Sequence, residues 1–223
     1  MSFKLFVNAM VKFSLGVVLV GTLIFWPAGT FDFWQGWLLM CVLFIPMFAA
    51  GIVMMFVNPA LLSKRLDAKE KQKDQDVVVK LSGLMFLIGF IVAGLGRRFG
   101  WYTLPSGVSI GATVAFVIAY ILYAEVLREN TYLSRTIEVQ EGQKVVDSGL
   151  YGVVRHPMYA VTLLLFLSMP LILGSLYAFV VFLAYPLIIA MRIRGEETLL
   201  ARELDGYSEY VKRVKYRLIP WIW

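Results

Sequence analysis

The 223-residue sequence predicts an all-α fold, a polytopic membrane helix bundle of four spans followed by a C-terminal helical hairpin and a cytoplasmic helical tail. Three observations predict it. The chain is 60% hydrophobic with a mean hydropathy of +0.75, far more apolar surface than a water-soluble domain of this size can bury. Charge is segregated: long stretches carry almost no Asp, Glu, Lys or Arg, while Asn58 to Lys80 and Arg192 to Arg217 are dense with them. The apolar runs also have bilayer length.

Leu5 to Trp26 is apolar except for Lys12, Ser14 and Thr22, and about 22 residues at 1.5 Å rise reach roughly 33 Å. A cleaved signal peptide is disfavoured, because Lys12 interrupts the early part and Trp26-Pro27-Ala28-Gly29 offers no small-x-small cleavage site. Trp34 and Trp37 mark an interface before a second span, Gly36 to Val57, which Asn58-Pro59 closes. Leu61 to Asp76 alternates charge signs and predicts a short solvated or surface-lying helix. Val77 to Gly96 is a third span whose Gly83, Gly89, Gly94 and Gly96 allow close helix approach. Arg97 through Pro105 is a tight turn, and Ser106 to Leu127 is the fourth span. Pro157 to Met191 in one helix would be roughly 52 Å long, so it must fold back. Pro170 and Gly174 predict the break, giving arms Pro157–Met169 and Ser175–Met191.

Lys4 and Lys12 precede span one, no Lys or Arg occupies 27–35, and six basic residues from Lys64 to Lys80 follow span two. The positive-inside rule therefore puts the N-terminus, Arg128–His156 and the tail after Met191 in the cytoplasm, with Arg97-Arg98 as the one dissenting pair. In a prokaryotic host the membrane would be the inner or plasma membrane. The net charge of +6 lies beside apolar spans, where anionic headgroups account for it, so membrane lipids are the expected partners and nucleic acid is not. Cys41 and His156 are the only residues of their kinds, so neither an intrachain disulfide nor a metal site is expected.

Two polar stretches flank the hairpin and meet at its base: Asp147 to Tyr159, and Arg192-Ile193-Arg194-Gly195-Glu196-Glu197. Gly149 and Gly152 permit tight turns, and Pro157 suits the first helical position. Arg155 and His156 then stand at a helix N-terminus, where free amides and the dipole favour an anion such as a ligand carboxylate. Adjacent residues on a helix point to different sides, so at most one of Glu196 and Glu197 faces a pocket while the other is solvated or paired with an arginine. Tyr207 and Tyr210 read equally as pocket residues or interface anchors, and Arg217 with Trp221 and Trp223 reads equally as a headgroup anchor.

Arg155-His156-Pro157-Met158-Tyr159, the hairpin, Arg192 to Glu197, Tyr207-Ser208-Glu209-Tyr210 and Arg217-Leu218-Ile219-Pro220, in that order, resemble the isoprenylcysteine carboxyl methyltransferase and phospholipid methyltransferase superfamily. The resemblance covers Asp147 to Trp223. It implies two regions, N-terminal transmembrane helices (1–127) and a catalytic region (128–223), and S-adenosylmethionine as cofactor on the cytoplasmic side beneath the C-terminal segment. The cofactor-binding residues it implies are Gly149, Tyr151, Val154, Arg155, His156, Pro157, Tyr159, Glu196 and Glu197, with Arg192, Arg194 and Glu197 as catalytic candidates. A lipophilic small-molecule or prenylated substrate would enter from the bilayer. The sulfonium donor needs no metal, and orienting two reactants can supply about 7–11 kcal/mol in the best cases. An acceptor carboxylate, as in an isoprenylcysteine, needs a cation to hold it; a phospholipid amine needs a base. The arginine excess tilts the reading to the carboxylate. The end Val214 to Pro220 also looks like that of nicotinamide-dependent membrane sterol reductases.

Overall fold

A computed structural model describes residues 3–66, 73–133 and 139–223. The described residues are helical throughout apart from short connections. The helices are α1 (Phe3–Ala28), α2 (Trp34–Val57), α3 (Pro59–Leu66), α4 (Lys73–Arg98), α5 (Ser106–Glu129), α6 (Pro157–Ile172), α7 (Leu176–Phe182), α8 (Tyr185–Glu203) and α9 (Tyr207–Arg213), with a 3-10 turn at Gly149–Gly152. Among the described residues five segments are long and apolar enough to cross a membrane: Lys4–Ala28, Trp34–Val57, Asp76–Arg98, Ser106–Glu129 and Leu176–Glu203. The chain is a multi-pass integral membrane protein.

Most of the N-terminal bundle falls within a few residues of the expected spans. The charged segment after the second span is helical over α3, where Leu61 and Leu62 are buried, and again from Lys73, where α4 begins; 67–72 lies outside the described residues. The glycine reading of the third span divides by position. A Cβ on Gly94 would sit 2.5 Å from the Ile24 carbonyl oxygen of α1, and one on Gly89 would collide with the Phe182 ring of α7. These two glycines let α4 touch its neighbours. Gly83 has nothing within 4 Å, and a Cβ on Gly96 would make only ordinary contacts.

The hairpin departs from expectation in three ways. α6 runs through Pro170, because lipid-buried helices with packed neighbours tolerate proline, and the chain turns at Gly174, whose φ of +67° is left-handed. Ser175 then caps α7, its hydroxyl accepting from the Ala178 amide at 3.2 Å. The second arm is two helices, α7 and α8, interrupted at Leu183-Ala184 because Pro186 supplies no amide and can enter only the first turn of a new helix. α8 continues to Glu203, so the second arm with its polar extension is a 28-residue candidate span, and Arg192 to Glu197 lie inside a helix instead of beyond its end.

One apolar core joins the two parts of the chain. Ile24, Leu39, Phe116, Ile172, Phe182 and Ile193 are all fully buried in it. Phe86 and Phe90 of α4 meet Phe182 at ring-centroid distances of 5.3 and 5.9 Å. A second, small cluster of Leu204, Tyr207, Tyr210 and Val214 fixes α9 against the end of α8.

Candidate active site

Helical period places the polar residues of α8. Arg192, Glu196 and Leu200 are four residues apart and share one face, which lines a cavity with about 820 Å³ of empty space including its open mouth. Arg155, His156, Tyr159, Tyr151, Tyr207 and Tyr210 also line it, and Asn130, Gln143 and Lys144 join them from the connection after α5. The Tyr159 hydroxyl donates to Glu196 Oε2 at 2.6 Å and accepts from Arg192 Nε at 3.0 Å, so the phenol bridges base and cation. The His156 ring stacks on Tyr159 at 5.7 Å, and its Nδ1 lies 4.0 Å from Glu196 Oε2.

Glu197 faces the other way, into an ion cluster. Its Oε1 accepts from Arg155 Nε at 2.8 Å and lies 3.3 Å from His156 Nε2, while its Oε2 accepts from Arg217 Nε at 2.7 Å. Side chains of Arg155 and Glu197 are only 6% and 13% exposed, so each charge depends on the other for solvation. Arg155 Nη1 also donates to the carbonyls of Val214 and Lys215, both at 2.8 Å. The backbone completes this latch. The Arg155 and His156 amides donate to the Tyr216 and Arg217 carbonyls at 2.9 Å. The expectation that amides at these two residues are free for an anion is corrected here: the segment after α9 lies alongside 155–156 and takes both.

The glycine turn is built for the same end. Gly149 has φ +53°, and a Cβ there would collide with the Glu129 carboxylate. The Glu129 carboxylate accepts the Leu150 amide at 3.0 Å, and Asn130 Nδ2 donates to the Tyr151 hydroxyl at 3.1 Å. α5 thereby aims Tyr151 at the cavity. The Tyr210 hydroxyl donates to the Tyr151 carbonyl at 2.7 Å. Burial lifts the hydroxyls of Tyr151, Tyr207 and Tyr210 above the ordinary tyrosine range, and for Tyr207 the nearby Glu197 and Glu196 push further the same way. All three stay neutral donors at working pH. The Tyr207 hydroxyl is buried and has no hydrogen-bond partner among the described residues. Such a group is costly unless something else satisfies it.

Of the residues singled out from the sequence, Tyr151, Arg155, His156, Tyr159, Arg192 and Glu196 line the cavity. Gly149, Val154, Pro157 and Glu197 are not among its lining residues and instead shape the turn, begin the helix or hold the latch. Arg194 is exposed on the opposite face of α8. Sequence reasoning missed Asn130, Gln143 and Lys144, which carry no motif. It also missed Leu200, which the four-residue spacing from Glu196 could have found. The described residues contain no group of three or more His, Cys, Asp or Glu placed to hold a metal ion.

Comparison with known proteins bears on the same region. Delta(14)-sterol reductase TM7SF2 of Mus musculus is 34% identical over 91 residues, which is 40% of this chain. The match spans only 22% of that protein's length. Residues 106–205, which run from the start of α5 past the end of α8, match the family model described as phospholipid methyltransferase. Through that region this membrane protein is similar to the phospholipid methyltransferase family, which falls within the superfamily that the Arg155–Tyr159 and Glu196-Glu197 motifs resemble.

Proposed function

We propose that the protein transfers a methyl group from S-adenosylmethionine to a lipophilic acceptor that reaches the cavity from the bilayer, with the N-terminus and the cavity on the cytoplasmic side. The observation that carries this reading is the cavity itself, lined both by the Tyr159-bridged pair of Arg192 and Glu196 and by Tyr207, whose buried hydroxyl has no partner among the described residues. Those residues fit the donor. Tyr207 can donate to one of its acceptors, Glu196 can face its amino or sulfonium charge, and the aromatic rings tolerate a cation. When bound, the donor supplies an electrophilic methyl on a sulfonium, a displacement that needs orientation above all. Glu197 and Arg155 hold His156 in place, Glu196 and Arg192 hold Tyr159, and apolar α6 keeps water from the bilayer side.

Our first reading of the acceptor is a carboxylate of an isoprenylcysteine-like substrate, which Arg192 would hold as its ionic partner. A phospholipid amine is the second reading. The family match favours it, and so does the position of Glu196, a carboxylate at the cavity wall able to take the proton an amine must lose.

Calorimetric titration of the detergent-purified protein with S-adenosylhomocysteine tests the donor site. Saturable binding that His156→Ala weakens supports it. A folded protein that ignores this ligand but binds a reduced nicotinamide would replace the proposal with the reductase reading suggested by the sterol reductase similarity. Glu196→Gln then separates the acceptors: loss of about 10²-fold or more in kcat on an amine acceptor identifies Glu196 as its base, whereas a carboxylate acceptor needs none.

A further inference from the structure

The segment after α9 has work beyond the latch. Leu218 and Trp223 turn inward onto the core, while Ile219, Trp221 and Ile222 turn outward and are 43%, 86% and 77% exposed. Trp221 has φ +63°, the one left-handed residue other than glycine among the described residues. A bulky side chain adopts that conformation only when its surroundings impose it. Here the backbone does so. The Trp223 carbonyl accepts from the Arg217, Leu218 and Ile219 amides at 2.9, 2.9 and 3.2 Å, and the Ile222 and Trp223 amides both return to the Ile219 carbonyl at 3.1 Å. The tight turn therefore projects three large apolar side chains outward.

Its height is set as well. Tyr216 and Arg217 pair with Arg155 and His156, directly before α6 enters its apolar run at Pro157. The turn thus hangs at the boundary between the apolar bundle and water. Lys212 and Arg213 on the last turn of α9, and Lys215, are exposed beside it. Indole rings favour the headgroup level of a bilayer, and basic residues near the surface are drawn to anionic lipid.

We propose that Ile219, Trp221 and Ile222 form an anchor seated in the headgroup region of an anionic leaflet, and that this seating holds the strap closed on Arg155 and Glu197. The inference rests on the membrane embedding of the bundle and not on the methyl-transfer reading. In a Cys41→Ser background, Trp221→Cys carries a nitroxide label in nanodiscs of mixed phosphatidylglycerol and phosphatidylcholine, with Glu209→Cys as the water-exposed control. The label at 221 should collide more with oxygen than with a water-soluble nickel chelate, and the control should do the reverse. Equal access of the chelate to both positions overturns the anchor. So does dipolar broadening at 221, which would show a second copy covering the turn. A second measurement avoids the label. Trp221→Gly combined with Ile222→Ser suits the left-handed backbone and removes the apolar surface, so at unchanged thermal stability trypsin should cut after Lys215 about tenfold faster in the same nanodiscs. An unchanged rate overturns the proposal.

Discussion

The first two helices and the last long segment are similarly apolar, yet they are used differently. In the most apolar windows of α1 and α2 only 11% and 17% of residues are buried inside the protein, against 39% for Leu176–Glu203. α1 and α2 meet neighbours along narrow seams and leave Leu15, Val18, Phe56 and Val57 outside, where lipid solvates them. α8 instead carries Arg192, Glu196 and Glu197 inward, and each of the two carboxylates there has partners drawn from distant parts of the chain. The contrast teaches that hydropathy alone places a helix in the bilayer but says little about what it does there. Charges kept inside such a bundle are expensive, and they persist where other residues have been arranged to meet them.

Breaking the C-terminal network should have the largest effect. Glu197→Ala leaves the buried Arg155 guanidinium without its counter-ion, so the loss should be about 3–5 kcal/mol, read as a lowered thermal unfolding midpoint in detergent. An unchanged midpoint would show that the latch is incidental. It also follows that lost activity in this variant reports folding before chemistry, whereas Glu196→Gln, on the cavity face, leaves the latch intact.

A smaller effect is expected from the apolar half, where contact depends on shape. Gly94→Ala drives a methyl against the Ile24 backbone, which cannot move aside as a flexible side chain would, and should destabilise by about 1–3 kcal/mol. Gly83→Ala, with open space around it, should leave the midpoint where it is or raise it slightly. If both variants behaved alike, the close seam between α1 and α4 would be the wrong account of that half.

The smallest change sharpens the distinction between holding the fold and binding a ligand. Tyr207→Phe removes a hydroxyl that no group among the described residues satisfies, so the ligand-free protein should be as stable as before or slightly more so. S-adenosylhomocysteine affinity should fall by about fivefold, the value of roughly one hydrogen bond. A lower midpoint with unaltered affinity would make Tyr207 a structural residue.

The resemblance and the spans were legible because they depend on local features. Runs of about twenty apolar residues, the glycines of α4 and the ordered Arg-His-Pro and Glu-Glu motifs stand in the sequence itself. The hairpin was legible only in part. Length required a reversal somewhere in Pro157–Met191, but Pro170 looked as good a breaker as Gly174. The left-handed turn and the capping hydroxyl of Ser175 chose the second. Pro186 escaped notice because a proline inside an apolar run announces itself as a helix start only when its neighbours are placed.

The sequence by itself determined that this chain lives in a membrane, that its polar chemistry gathers around the α6–α8 hairpin, and that one of two adjacent glutamates must face away from the other, because hydropathy and helical period act within a few turns of chain. Only the tertiary structure decided that Glu196 takes the cavity and Glu197 the latch, that Arg155 holds the strap instead of an anion, and that Tyr207 is left without a partner. Each of those outcomes depends on groups from 20 to 60 residues away in the chain, as the Glu197 contacts with Arg217 and the Arg155 contact with Lys215 show, and sequence spacing carries no record of such distances.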